Sequence, residues 1–467
     1  MLPRCCRFTV AQSARFRGGF AALAVFLSAL GPSAAAAADT TDVYATRHNH
    51  LLSLPRLLWT GLVYPLGALT IYAEHEEVPR RTMEFFTNEA GTFGIFPQVQ
   101  LGGETGTGGG IRTFHSDLFG RGKLFEAAYV YAGEGLQTGG ALYRDPNIAG
   151  GAFYWDAAAS WLQTDNRNAT VNGHLRLDKR PGGERFAIER ADVESVLGWR
   201  RHSGDLEEYR DNIYLESRLG WHRRELSRAT EPPSGLALVP AGLGETLKFY
   251  SVGLRLAYDD RDYKKPVREL SHPLNYVLPG RILQQSGDLY YSFRDITYPE
   301  RGGLAEIQAD FATGSDDVRF WNLKAQVQRF FPLFYSNRIL ALRALVEKAH
   351  RIEGDITDGD VIPYSDLHTL GGSQRLRGFK RGSLRGEGIL LLVAEYRYPI
   401  WDTWNAYLFW EEGQVFNKFD QVETGRFRTS YGGGISLRTE RAFLIGLRVS
   451  HSAAEDALVG FSLEQEF

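Results

Sequence analysis

From Phe249 to Tyr258 large apolar residues recur at every second position. Tyr250, Val252, Leu254, Leu256 and Tyr258 fall on one side, and Ser251, Gly253, Arg255 and Ala257 on the other. A period of two is what a β-strand with two unlike faces requires. In Leu323 to Gln328, Leu323, Ala325 and Val327 oppose Lys324, Gln326 and Gln328. In Phe443 to Ser450, Phe443, Ile445, Leu447 and Val449 oppose Leu444, Gly446, Arg448 and Ser450. The basic residues of all three runs keep to the face away from the apolar side. Beyond a long polar connection, Arg351 to Glu387, five runs are legible: Gly388 to Trp401, Thr403 to Phe416, Phe427 to Thr439, Arg441 to His451 and Leu458 to Phe467. Eleven or twelve precede it, for a total near sixteen.

Alternation alone also fits a soluble sandwich. Three features favour a membrane barrel. The runs reach the roughly ten residues that a tilted strand needs to cross a bilayer. Aromatics gather towards run ends, as in Tyr396, Tyr398, Trp401, Trp404, Tyr407 and Trp410, where interfacial girdles lie. Glycines cluster at Gly108 to Gly110 and Gly432 to Gly434, where strands can bend. The expected fold is therefore all-β: a transmembrane antiparallel β-barrel of about 16 strands, an allowed even number. A short helical segment precedes the barrel. Tyr258 to Asp262 and Phe293 to Asp295, the latter followed by Pro299 to Gly303, read as two related strand-end turns. The last run carries Val459, Phe461 and Leu463 and stops at Phe467. It is the expected closing strand, with Phe461, Leu463 and Phe467 as a C-terminal assembly signal.

Composition changes the picture mainly at the start. Arg4, Arg7, Arg15 and Arg17, the apolar run Phe20 to Leu30, and the alanines before Asp39 form a secretory signal peptide over residues 1–38. Residues 39–90 form a short periplasmic or interfacial segment whose apolar stretch, Leu51 to Ala73, is interrupted by Pro55, Arg56 and Pro65. Residues 91–467 form the barrel. Both cysteines, Cys5 and Cys6, lie in the signal, which leaves no thiol for a disulfide, a metal site or a nucleophile. Losing four arginines and no acid moves the net charge from −3 to −7, against a nucleic-acid partner.

Catalytic and ligand motifs are scarce. Gly102 to Gly110 has no Gly-Lys-Ser/Thr after it. His75-Glu76-Glu77 lacks a second histidine, and no Gly-x-Ser-x-Gly elbow occurs. His48 and His50 have no further ligand at metal spacing. The reading is a non-enzyme without metal or cofactor. A serine, histidine and acid brought together only by folding leave no local trace, and the sequence leaves that class, an outer-membrane lipase, open.

The strongest local motif lies in the long connection: Gly371-Gly372-Ser373-Gln374-Arg375-Leu376-Arg377-Gly378-Phe379. Arg377-Gly378-Phe379 resembles the Arg-Gly-aromatic motif of the bacterial surface-antigen barrels, which include barrel-assembly and translocation-and-assembly proteins. The acids that follow match too, as Glu395 in Ala394-Glu395-Tyr396-Arg397-Tyr398-Pro399 and Glu411 in Phe409-Trp410-Glu411-Glu412-Gly413. The resemblance implies an extracellular loop folded into the lumen, with Arg377 bound to both carboxylates. The second acid is usually Asp; here Glu411 or Glu412 takes its place, and the pattern does not settle which faces inward. Strand parity independently turns Glu395 inward if Tyr396 and Tyr398 face lipid, and a guanidinium fork suits two carboxylates. Residues 39–90 are too few for the periplasmic polypeptide-transport-associated domains of the family, so a member lacking them is expected. The implied role is assistance in inserting or translocating proteins or lipids at the Gram-negative outer membrane. The bilayer, and client outer-membrane proteins or lipids, would be its partners. The alternative is a passive channel or structural barrel.

Overall fold

The computed structural model describes residues 85–100, 108–132, 136–168, 185–203, 210–228, 242–261, 299–315, 317–333, 338–352, 362–380, 382–400, 404–438, 444–453 and 457–462. The signal peptide, nearly all of residues 39–90 with their expected helical segment, Trp401, Leu463 and Phe467 lie outside these ranges.

The strands are β1 (Phe93–Gln100), β2 (Gly108–Leu118), β3 (Lys123–Ala132), β4 (Leu136–Ile148), β5 (Phe153–Asn168), β6 (Arg185–Ser203), β7 (Arg210–Arg228), β8 (Thr246–Asp259), β9 (Gly302–Gly314), β10 (Arg319–Pro332), β11 (Ile339–Arg351), β12 (His368–Leu370), β13 (Leu384–Gly386), β14 (Gly388–Pro399), β15 (Trp404–Phe416), β16 (Arg428–Arg438), β17 (Leu444–Ser452) and β18 (Leu458–Ser462). All but β12 and β13 form one 16-stranded sheet, each strand antiparallel to its sequence neighbour, with β14 following β11. β12 and β13 pair with each other inside the long connection. The all-β, sixteen-strand expectation is met, and the five runs after the loop become β14 to β18.

The two faces separate as the alternation predicts. On β8, Tyr250, Val252, Leu254, Leu256 and Tyr258 point outward, and Val252, Leu254 and Leu256 are each half exposed or more. In water such a face would be a large liability; in hydrocarbon it is the required surface. The other face carries cross-strand ion pairs. Arg144 grips Asp156 through two 2.8 Å bonds. Arg112 meets Glu126 at 2.7 Å, and Arg255 bridges Glu216 at 2.8 Å and Glu306 at 2.5 Å.

The sheet is rolled. β7 and β17 stand eight steps apart in it, about 38 Å if flat at ~4.8 Å per step. Yet Asp366 contacts Arg224 of β7, and the carbonyl of Arg377 contacts Ser450 of β17. The chain between them contains a short strand and a reversal, so it cannot cover such a span. The sixteen strands therefore wrap around the loop.

Two readings are revised. Trp404 and Tyr407 are buried rather than girdle residues. Tyr407 and Phe409 face inward because Gly434 and Gly432 on the neighbouring strand have no side chains. A Cβ on Gly434 would lie 2.5 Å from the Tyr407 hydroxyl, and one on Gly432 would lie 2.8 Å from the Phe409 ring. The glycines thus seat aromatic rings against the wall. Second, Asp260 and Gly303 form the two sides of one neck between β8 and β9, with the Asp260 N–H donating to the Gly303 carbonyl at 2.9 Å and the Gly303 N–H to the Asp260 carboxylate at 2.6 Å. Tyr258 to Arg261 and Pro299 to Gly303 therefore meet at one neck; Asp262 and Phe293 to Asp295 lie outside the described residues. The inner wall also carries a buried apolar stretch of Leu345, Ile389, Leu391, Val393 and Val415.

Candidate functional site

The loop between β11 and β14 explains that apolar wall. Leu370, Leu376, Phe379 and Leu384 pack on Leu345, Ile389, Leu391, Val393 and Val415 as one cluster. Its tip is closed by its own backbone: the Gly371 N–H donates to the Arg375 carbonyl at 2.6 Å, and the Gly372 N–H to the Phe379 carbonyl at 2.9 Å. Gly371, at φ +105°, meets the Lys380 carbonyl so closely that a Cβ would fall 2.0 Å from its oxygen. Only glycine fits there.

The closed tip presents Arg377. Its side chain and that of Glu411 are each 1% exposed. Arg377 Nε donates to Glu411 at 2.7 Å and Nη1 to Glu395 at 2.5 Å, while its backbone N–H reaches the second Glu411 oxygen at 2.5 Å. The guanidinium lies over the Phe409 ring, 3.8 Å from its centroid, a cation–π contact. Arg397 closes the cluster by donating to Glu395 at 2.8 Å. Glu412 takes the other parity, its carboxylate accepting from Trp410 Nε1 at 3.0 Å and the Thr429 hydroxyl at 2.8 Å. Glu411 is therefore the inward acid.

Gly378 touches the wall edge-on. Its N–H donates to the Ser430 hydroxyl at 2.6 Å, the Ser452 hydroxyl donates to its carbonyl at 2.7 Å, and the Ser450 hydroxyl donates to the Arg377 carbonyl at 2.8 Å. The motif thus binds β14 and β15 through charge and β16 and β17 through serine hydroxyls. Phe461 lies in β18, opposite Leu447 of β17.

Sequence reasoning missed two further anchors. Glu347 of β11 receives both Arg375 nitrogens at 2.7 and 2.8 Å and sits 2.9 Å from His368 Nδ1. Asp366 receives two bonds from Arg224 of β7, at 2.8 and 2.9 Å. A signal existed for Glu347, a lone acid on the inward parity of an apolar strand; Asp366 had none, since its partner lies on a remote strand. Burial alone would raise the Asp366 carboxyl, but Arg224, then Arg190, hold it below its ordinary 3.8. The group is therefore more acidic when docked. Its contribution is complete above the unfolded value of about 3.9 and is lost as pH falls through the lower docked value. Protease protection of the loop should thus persist from pH 8 to about 4 and fail only in stronger acid, whereas Asp366→Asn should weaken it throughout the range from pH 8 to about 4. Limited proteolysis at stepped pH tests this; an onset near pH 6 would contradict it.

These features define a class, the lipid-facing β-barrel whose lumen is occupied by its own loop. Residues 117–444 match the model of the Omp85 superfamily domain, and the chain belongs to that superfamily of outer-membrane barrels. No curated protein matches the sequence. Among solved structures, BamA from Haemophilus ducreyi lacking POTRA domains 1-3 is similar with a TM-score of 0.53 at 12% identity, over 79% of this chain and 70% of that one. CdiB from Escherichia coli gives a TM-score of 0.48 at 13% identity, over 79% of this chain and 61% of the other. The BamA likeness bears on the fold.

Proposed function

We propose that this chain assists the insertion or translocation of proteins or lipids at the outer membrane, delivered there by a cleaved signal peptide. The observation that carries the reading is the docking of Arg377-Gly378-Phe379 across β14, β15, β16 and β17, which fastens the last strands into one body. Beyond that body, β18 pairs with β17 from Leu458 to Ser462, and the activity is proposed to reside in a weak seam between the first and last strands. An unpaired strand edge in hydrocarbon costs several kcal/mol per unsatisfied group. An incoming strand, or a polar headgroup, that satisfies such an edge is therefore held there, as in β-augmentation. A loop docked against the lumen wall fits this role better than passive conduction.

Depletion of the protein followed by outer-membrane proteomics and surface-lipid analysis is the test. Levels of some barrels or surface lipids should fall. Unchanged levels of both would overturn the reading, and a large stable pore in planar bilayers would favour the passive channel instead.

A further inference from the structure

Asp192 of β6, His222 of β7 and Ser251 of β8 occupy neighbouring strands and face the lumen, outside the Arg377 cluster. His222 Nδ1 lies 2.7 Å from Asp192 Oδ1, and Nε2 lies 2.8 Å from the Ser251 hydroxyl. Asp192 is an acceptor kept beside two cations, Arg224 at 2.7 Å and Arg190 at 3.7 Å. The bonding therefore assigns the imidazole proton to Nδ1 and leaves the Nε2 lone pair for the Ser251 O–H. The ring is also fixed by stacking on Phe249, with centroids 4.8 Å apart.

Access follows the same order. Asp192 and His222 are buried, and Ser251 is half-buried, so the hydroxyl is the member presented to the lumen. Gly220 stands opposite Ser251 in the β7–β8 register. A Cβ there would fall 2.4 Å from Ser251 Oγ and 2.5 Å from His222 Nε2. A residue with no side chain keeps the pair unobstructed.

We propose that Ser251, His222 and Asp192 form a nucleophilic triad that hydrolyses a short-chain carboxylic ester reaching the lumen through water. Ser251 Oγ bonds to the ester carbonyl carbon while His222 Nε2 takes the hydroxyl proton. The carbon–alkoxide bond then breaks, and the alcohol leaves with that proton. Water next attacks the acyl-serine, His222 again takes and returns a proton, and the carboxylic acid departs with Ser251 restored. Asp192 is a positioning residue that holds the imidazole tautomer. Arg218 faces Gly253, one inward rung from Ser251, and is held there by Glu194 at 3.2 Å. The surrounding wall carries Glu194, Arg218, Arg255 and Asp310, which disfavours a long acyl chain and sets the short-chain, polar class of substrate. This departs from the non-enzyme expectation and is independent of the insertion role.

The full chain, folded in detergent or liposomes, is treated with a biotinylated fluorophosphonate and separately with 4-nitrophenyl acetate. Ser251 should form the phosphonate ester with release of fluoride, located by peptide mass mapping. Ser251→Ala should lose that label and the ester turnover. His222→Gln should slow labelling by about 10²- to 10⁴-fold, the usual contribution of a general base. The native labelling rate should rise with pH and Asp192→Asn should flatten that rise, an effect that a merely structural role would not produce. Heat-modifiability gels establish that each variant is folded. A folded native chain unlabelled at Ser251, or a Ser251→Ala chain that hydrolyses the ester at the native rate, overturns the proposal.

Discussion

Replacing Arg377 by Ala should undock the loop and lower the temperature at which the folded band disappears on heat-modifiability gels. The guanidinium serves two buried carboxylates, and its removal leaves Glu411 with only the Arg377 backbone N–H from this set and Glu395 with Arg397. Breaking a buried charge cluster by deleting one member typically costs about 3–5 kcal/mol. That shifts the balance of docked to undocked loop by roughly 10²- to 10⁴-fold. With the lumen vacated, planar-bilayer conductance should rise above the native level. Arg377→Lys retains the charge but not the fork that reaches both acids at once, so it should fall between the two. A variant with native heat-modifiability and native conductance would remove the ion-pair cluster from the account of barrel stability.

Gly378→Val should give nearly the same loop release for a steric reason alone. A Cβ at position 378 would lie 2.6 Å from the His451 carbonyl oxygen and 2.7 Å from the Ser430 hydroxyl. The carbonyl belongs to strand backbone, so the loop must move, and the two γ-carbons of valine extend the clash. Movement gives up the bonds to Ser430, Ser450 and Ser452. At about 1 kcal/mol each, they sum to roughly 3 kcal/mol before any packing of Phe379 is lost. Trypsin added to liposomes should then cut at Arg375 or Arg377, which the docked loop holds partly or fully buried. Gly425→Ala is the matched control, because nothing lies within 4 Å of a Cβ there. Native protease resistance in Gly378→Val would show that the close approach does not hold the loop.

The two variants also separate what could be read from the chain alone. Arg377-Gly378-Phe379 was legible because its residue types and spacing form a local signature, and strand parity placed Glu395 inward. The choice between Glu411 and Glu412 needed the register of β15 against β16, since adjacent acids of one strand differ only in which face they take. The serine hydroxyls of β16 and β17 were hidden for another reason: on a strand, Ser430, Ser450 and Ser452 look like any small polar residues of a lumen wall.

Alternation of apolar and polar residues determined the all-β class, the near-count of sixteen strands and the outward greasy face, because a pleated strand converts a period of two directly into two surfaces. Only the rolled sheet decided which distant side chains meet. Asp366 reaches Arg224 across the lumen, and Asp192, His222 and Ser251 align across three strands, through contacts between residues far apart in sequence. Such contacts are set by register and closure, which a single strand's pattern does not encode.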